Sequence, residues 1–527
     1  MKVISQLLAV MMAASPFTSV AAEKPNIIVI LVDDMGFSDI GCYGGEIPTP
    51  HLDKLAAGGV SFTQFYNTGR CCPTRASLLT GLYPHQAGVG HMTTNDRLPG
   101  YQGKLSDQCV TLAEVLRPAG YFTAMCGKWH VGQEQGVTPW GRGFERSINA
   151  AAGGFYFPDS PRTELFLNGE KVGRRGGKLP EDWYSTDLWT DSGIKFIDEA
   201  LAAKKPFFLY LAHNAPHFPL QAPQEEIGKF RGKFKAGWDQ LREQRHARQI
   251  ALGIVDKSWP MAPRPAEVKA WSEVPADEQD RFDHMMAIYA ATIAHMDTSI
   301  GRLVDSLRER GVLDNTLILF MSDNGGNAES GPNGKLDGEP PGSAMSDVFV
   351  GQSWATLSNT PFRLYKHYNH EGGIATPLIA HWPTGIKARG ELRQQPGHLV
   401  DIMATCVDIS GAIYPKEYGG HSIVPPEGTN LVPAFENKPL PRDTLYWEHE
   451  GNAAIRVGDM KLVRQGRGGK WELYDLKQDR TEMQDLAGKR PDQVAQLAAK
   501  WDAWAERAQV KPYPENTRDK QKPKKSK

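Results

Sequence analysis

The run Cys71-Cys72-Pro73-Thr74-Arg75, followed by Leu78-Leu79-Thr80-Gly81, sets a nucleophilic side chain close to a permanent cation. Pro73 fixes the backbone between them and is tolerated early in a helix, so Thr74 and Arg75 can start one. Free N–H groups at a helix start, together with a guanidinium, bind anions. Cys71 therefore stands where a charged tetrahedral oxyanion can be held. A disulfide cysteine, a zinc ligand or an ordinary thiol pocket are the alternatives. Adjacent cysteines strain a mutual disulfide, and no C-x-x-C or histidine lies at zinc spacing from Cys71.

Three more groups carry chemistry. Asp33-Asp34 and Asp323-Asn324 supply three carboxylates and an amide oxygen, hard donors that suit Ca²⁺ or Mg²⁺ better than zinc. Taken alone, Asp33-Asp34 reads equally well as a cap or turn. Gly127-Lys128-Trp129-His130-Val131-Gly132 puts a cation and an imidazole on one face of an extended segment, between glycines that permit close backbone approach. Histidines recur in His213-Asn214-Ala215-Pro216-His217 and around Lys366, at His367 and His370. His213 is expected to be structural, and His367 and His370 to lie at the surface.

The elements that must position these groups are legible as well. Asn26–Val32, Phe207–Ala212 and Thr316–Met321 are continuous apolar runs, the pattern of strands buried on both faces. Each ends in polar chemistry: Asp33-Asp34, His213 to His217, and Ser322-Asp323-Asn324-Gly325-Gly326. Apolar residues from Met285 to Leu307 keep helical spacing and predict a helix over about 283–310. The fold class expected is α/β, a large, mostly parallel but mixed sheet sandwiched by helices, with active residues at the carboxyl ends of its strands. Short strands from Thr444 to Tyr474 and a helix from about Asp492 to Glu506 predict a smaller C-terminal α+β domain with an antiparallel sheet. The expected organisation is a leader over 1–22, a catalytic domain over 23–440, a small domain over 441–514 and a basic, disordered tail over 515–527. Within the large domain, about 223–278 reads as an insertion capping one side of the site. The Gly-, Ser- and Pro-rich stretch 325–358 reads as a rim loop.

The motif from Cys71 to Gly81 resembles the maturation signal of the formylglycine-dependent (type I) sulfatases, arylsulfatase-like members of the alkaline phosphatase superfamily. The resemblance runs from Lys24 to about Pro514 and includes Arg456-Val457-Gly458-Asp459-Met460-Lys461-Leu462 and Glu472-Leu473-Tyr474-Asp475-Leu476. It implies an alkaline phosphatase-like fold and oxidation of Cys71 to Cα-formylglycine (3-oxoalanine) by a formylglycine-generating or sulfatase-maturating enzyme. It also implies one Ca²⁺ per chain, held by Asp33, Asp34, Asp323, Asn324 and the modified residue 71. By the same resemblance Lys128 meets the sulfate, His130 bonds the hydrate, and His217 contacts the leaving-group oxygen; Arg75, Lys128 and Lys366 with the metal would supply the positive field that neutralises the ester. Lys366 matches the family lysine five residues before Glu371-Gly372-Gly373-Ile374. Cys72 fills the variable second position of the motif. Related phosphohydrolases carry histidine where this chain has Asn324, so the amide favours calcium and sulfate esters.

Composition bounds the partners. A net charge of −1 gives no bulk attraction to nucleic acid. Lys2, the apolar run Leu7 to Ala14, and small residues up to Ala22 read as a leader cleaved before Glu23, so an exported, periplasmic or secreted protein is expected. No later stretch reaches the roughly 18 apolar residues of a membrane span. Of six cysteines, five remain if Cys71 is converted, so at least one stays unpaired. The function expected is hydrolysis of a sulfated small molecule or sulfated carbohydrate. A phosphodiesterase or phosphonate hydrolase on the same scaffold, or a non-catalytic sulfated-glycan binder, are the competing readings.

Overall fold

Strand Asn26–Val32 is wholly buried, and its side chains alternate between two cores. Ile28, Ile30 and Val32 face one core, and Ile27, Val29 and Leu31 the other, as the two-residue period of a strand requires. A strand covered on both faces cannot show apolar–polar alternation, which explains its continuous apolar reading. The computed structural model describes residues 24–134 and 136–515. The expected leader and nearly all of the basic tail lie outside the described residues.

The sheet has eleven strands and is mixed. Asn26–Val32 pairs in parallel with Phe207–Ala212 on one side and Thr316–Ser322 on the other. Beyond Phe207–Ala212 come Phe122–Lys128 and Arg146–Ala150, both parallel, then two short antiparallel strands, Leu165–Leu167 and Glu170–Val172. On the other flank Ala375–His381 runs antiparallel to Thr316–Ser322 and to Val60–Tyr66. Helices Ser185–Ala202 and Ala276–Glu309 pack in one core; Cys71–Thr80, Leu112–Leu116 and Asp401–Ser410 pack in the other. The helix expected from 283 begins a full turn and more earlier, where Asp277 and Glu278 suit a helix amino end.

The C-terminal region forms the expected antiparallel sheet, Thr444–His449, Asn452–Val457, Met460–Arg464 and Glu472–Asp475, each bound within about two residues of the reading. Helix Pro491–Arg507 closes it through Trp501 and Trp504, which bury against Ile455, Leu462 and Leu473. One stretch differs from expectation, and another gains detail. Residues 325–358 are not all loop: they hold the ribbon Lys335–Asp337 and Asp347–Phe349 and helix Gly351–Ser358. Residues 223–278 hold helices Gln224–Gly228 and Gly237–Ala251 and brace the turn after Asp33-Asp34. There the buried Arg245 guanidinium bonds Ser38 Oγ, Asp39 Oδ1 and Glu46. No helix among the described residues is long and apolar enough to cross a membrane.

A buried ionic network ties the small sheet to the large one. Glu371 accepts from Lys461 Nζ and Arg480 Nε, both at 2.8 Å, and from Tyr66 OH at 3.0 Å. Lys461 also meets Glu482 at 2.8 Å. Removing one member of a buried pair strands its partner's charge, which costs about 3–5 kcal/mol. Glu371→Gln should therefore lower the unfolding free energy by that amount and shift the midpoint down in equilibrium unfolding. An unchanged midpoint would show that the network does not hold the two sheets together.

Candidate active site

The carboxyl ends of three adjacent parallel strands deliver the first groups. Asp33 and Asp34 follow Asn26–Val32, Asp323 and Asn324 follow Thr316–Ser322, and His213 to His217 follow Phe207–Ala212. Consecutive residues of a strand point to opposite faces. Asp34 escapes this by a left-handed backbone, φ 67°, so both carboxylates serve one site. Helix Cys71–Thr80 lies over the same strand ends and begins at Cys71 itself, three residues before the expected Thr74. Its Thr74 Oγ1 donates to Asp323 O at 2.6 Å, which fixes the helix start to the strand end.

Gly127 explains how the next strand comes so near. Its φ is 116°, and a Cβ there would lie 1.9 Å from Ala212 O, so only glycine fits. Lys128 ends the strand, and His130 follows in a left-handed conformation, φ 58°, rather than in the extended segment expected.

The polar atoms interlock. Arg75 Nη2 lies 2.9 Å from both Asp33 Oδ2 and Asp323 Oδ2, while Nη1 donates to Lys128 O at 2.8 Å. The guanidinium is fully buried and braces the two carboxylates, while its Nε makes no hydrogen bond. Lys128 Nζ meets Asp33 Oδ2 at 2.6 Å, and Lys366 Nζ meets Asp34 Oδ1 at 2.6 Å. Asp34 also accepts from Asn324 Nδ2 at 2.8 Å and Asn327 Nδ2 at 3.0 Å, with His217 Nε2 3.7 Å away. Sγ of Cys71, Sγ of Cys72 and a ring nitrogen of His130 lie within 4.8 Å of one another. Every candidate named from the sequence is thus in one cluster, and all six cysteines are free.

Charge shapes the protonation states. Burial opposes ionisation of Asp33, but Lys128, His217 and Arg75 override it and hold this carboxyl well below its usual range. Burial and the charge of Asp33 push Asp323 up, since the two share one guanidinium nitrogen. A hydrogen bond from Cys72 holds the Cys71 thiol well below the usual thiol range, with Lys128 and His130 adding to it against burial. Burial lowers His130 to about 4, helped by Lys128, so its ring is neutral at neutral pH. His217 is lowered by burial as well. Burial works against the charge on Lys366, yet Asp34 beside it keeps its proton affinity raised.

Two buried oxygens, Asp33 Oδ1 and Asn324 Oδ1, accept no hydrogen bond. Buried acceptors are rarely left unmatched. Both are hard donors beside further carboxylates, so the residues present fit a hard divalent cation.

Sequence reasoning missed part of the cluster. Asn327 and Tyr210 contact Asp34 and Arg75, but Tyr210 reads as strand core and Asn327 as loop. His213 is buried with neither ring nitrogen hydrogen-bonded, and burial lowers it to about 3. His370 is wholly buried, not at the surface, with Nε2 3.3 Å from Glu472 Oε2. His367 is partly exposed and engaged by Arg70, Glu329 and Glu450.

Comparison with known proteins agrees with this geometry. The sulfatase family model matches residues 25–412, and the model for the C-terminal region of N-sulphoglucosamine sulphohydrolase matches 362–508. An uncharacterized sulfatase of Schizosaccharomyces pombe is 35% identical, covering 91% of this chain and 93% of the relative. An arylsulfatase of Klebsiella aerogenes is 36% identical, covering 78% and 91%. Among solved structures, Ps i-CgsB in complex with k-i-k-neocarrahexaose is 27% identical with a TM-score of 0.69, covering 94% of this chain and 96% of that one.

Proposed function

The chain belongs to the sulfatase family and is a sulfuric ester hydrolase, and from that premise we propose that it cleaves sulfate monoesters through Cys71 converted to Cα-formylglycine, with one calcium ion. The observation that carries this reading is the convergence of Arg75, Lys128, His130, His217 and Lys366 with three carboxylates around Cys71 at a helix start.

When formed, the aldehyde at position 71 supplies as its hydrate one hydroxyl to attack sulfur and a second whose deprotonation lets sulfate leave. An unmodified thiolate would instead end in a thiosulfate ester that is hard to hydrolyse. Asp33, Asp34, Asp323 and Asn324, with the oxygen at position 71, would hold the calcium, which supplies a concentrated positive charge that acidifies the nucleophile.

The chain's own residues do the rest. Lys128 Nζ, at the end of its strand, neutralises the ester oxygens in a site with little water. Arg75 keeps Asp33 and Asp323 oriented from behind. His130, neutral through burial, takes the proton from the hydroxyl at position 71 as sulfate departs. His217 and Lys366 flank Asp34 together and deliver a proton to the leaving oxygen.

Proton delivery matters most for poor leaving groups. His217→Ala and Lys366→Ala should slow an alkyl sulfate by about 10²–10⁴-fold and 4-nitrophenyl sulfate far less. Steady-state kcat/KM across a leaving-group series measures this, and equal losses on both substrates would remove the role.

The substrate is a sulfated small molecule or a sulfated carbohydrate. One relative is named an arylsulfatase, and a solved neighbour holds k-i-k-neocarrahexaose. The leader ending at Ala22 directs the protein out of the cytoplasm, to the periplasm or beyond, and a maturating enzyme acts on Cys71. Mass spectrometry of the Cys71 peptide, run beside sulfate release from a panel of aryl and sugar sulfates, tests the proposal. The converted peptide is lighter than the thiol by the sulfur–oxygen difference plus two hydrogens. Full activity with the thiol intact would refute it.

A further inference from the structure

A second cluster of metal-binding side chains lies beside the site, and the reaction proposed above does not use it. His367 follows Lys366 with a left-handed φ of 83°. His449 ends strand Thr444–His449 of the small sheet, and Glu450 follows it. His367 Nδ1 is 3.7 Å, and His449 Nε2 3.9 Å, from Glu450 Oε2. The three ligand atoms lie within 4.8 Å of one another. Around a tetrahedral zinc with bonds of about 2.0–2.2 Å, ligand atoms stand about 3.3–3.6 Å apart. A contraction of a few tenths of an ångström from the observed spacings, about that of one rotamer adjustment, brings the carboxylate into place.

Two independent observations point to a ligand here. The His449 ring is fully buried, yet neither ring nitrogen makes a hydrogen bond, and Nε2 faces Glu450. A desolvated imidazole without a partner is costly unless something else occupies its lone pair. His367 also has its outer support in place: Nε2 lies 3.3 Å from Glu329 Oε1. A carboxylate on the far nitrogen is the usual companion of a ligating histidine.

We propose that His367, His449 and Glu450 form a second metal site for a zinc-class divalent ion, with its fourth position open to solvent. Imidazole and carboxylate donors suit zinc, and three protein ligands leave one position for water or an incoming oxygen. Occupancy has a local consequence. Coordination through Nδ1 places the ring proton on Nε2, where it donates to Glu329 and no longer accepts from Arg70 Nη1. Arg70 then keeps Glu329, at 2.8 Å, and the Met92 sulfur, at 3.4 Å, so the side chain preceding Cys71 loses one of its three partners. The proposal does not depend on the chemistry assigned to Cys71.

The test titrates the folded full-length protein with Zn²⁺ alone by calorimetry, with calcium in excess. A Cys71→Ser background removes the competing Cys71, Cys72 and His130 cluster. Co²⁺ replaces zinc in a parallel absorption experiment. The expected result is one zinc per chain and the intense visible bands of tetrahedral cobalt. Glu450→Gln and His449→Ala should each weaken zinc binding at least about tenfold, since even outer partners of a ligand are worth 10–100-fold. Glu450 is exposed, so its variant folds even if the buried His449→Ala does not, and the cobalt spectrum then decides. No zinc uptake, or uptake and cobalt bands unchanged by Glu450→Gln, overturns the proposal.

Discussion

Cys71→Ala should release sulfate on the order of 10⁴–10⁶-fold more slowly than the converted protein, the scale seen when a covalent nucleophile is deleted. Its melting temperature should stay close to that of the parent. The two expectations separate because the residue has two environments. Its Sγ is buried beside Cys72 and His130, so truncation leaves at most a small cavity, worth about 1 kcal/mol. No carboxylate or cation of the cluster depends on that sulfur for its partner: Arg75, Lys128 and Lys366 remain paired with Asp33, Asp323 and Asp34. The chemistry, by contrast, loses its hydrate: the neighbouring Cys72 is a thiol that burial keeps protonated, and a thiol would end in the thiosulfate ester. Sulfate release per chain, measured beside a thermal melt, checks both halves. The peptide mass at position 71 must accompany the parent, because a host that leaves Cys71 as a thiol makes an inert control. Substantial turnover by folded Cys71→Ala would show that another group attacks sulfur.

What the sequence displayed, and what it hid, follows from the range of the interactions. The central strands were legible because burial on both faces leaves an unbroken apolar run, and a parallel sheet puts the next polar residues at one edge. Asp33, Asp323 and His217 could therefore be assembled from three separate stretches. The helix start was displaced because Pro73 marks an early helical position without saying which one, and the turn of the chain at Arg70 decides it. Short edge strands such as Glu170–Val172 carry too little burial to show a period. The hidden part is the side-chain pairing between distant elements. Arg70 meets Glu329 across 259 residues and His367 across 297, and no local spacing encodes such contacts. For the same reason the sequence does not show that Arg75 also bridges two carboxylates. The left-handed turns at Asp34, His130 and His367 fall on residue types that tolerate that backbone, but which Asp or His adopts it is decided by the surrounding packing.

Asp323→Ala is the second variant with a large expected effect, and it separates two jobs held by one side chain. Asp323 Oδ1 accepts the Asp34 backbone N–H at 3.2 Å, and Oδ2 holds Arg75 at 2.9 Å. If it also binds calcium, its loss removes one of three charges from a hard-oxygen set, and calcium per chain should fall well below one. Activity should drop by at least about 10³-fold, the scale for deleting a major electrostatic stabiliser. Stability supplies an independent readout. A cation at 100 times its dissociation constant adds about 2.7 kcal/mol to a fold that binds it. The parent should thus lose that increment on chelation and regain it with calcium, whereas Asp323→Ala should respond to neither. Asn324→Ala serves as the companion: it deletes the unbonded Oδ1 and the Nδ2 bonds to Asp34 Oδ1 and Gly325 O, but leaves Arg75 paired with Asp33 and Asp323. A calcium deficit in Asn324→Ala therefore reports on the ion rather than on the brace. If Asp323→Ala keeps its calcium but not its activity, Asp323 acts through Arg75 alone, and the ligand set must be drawn without it.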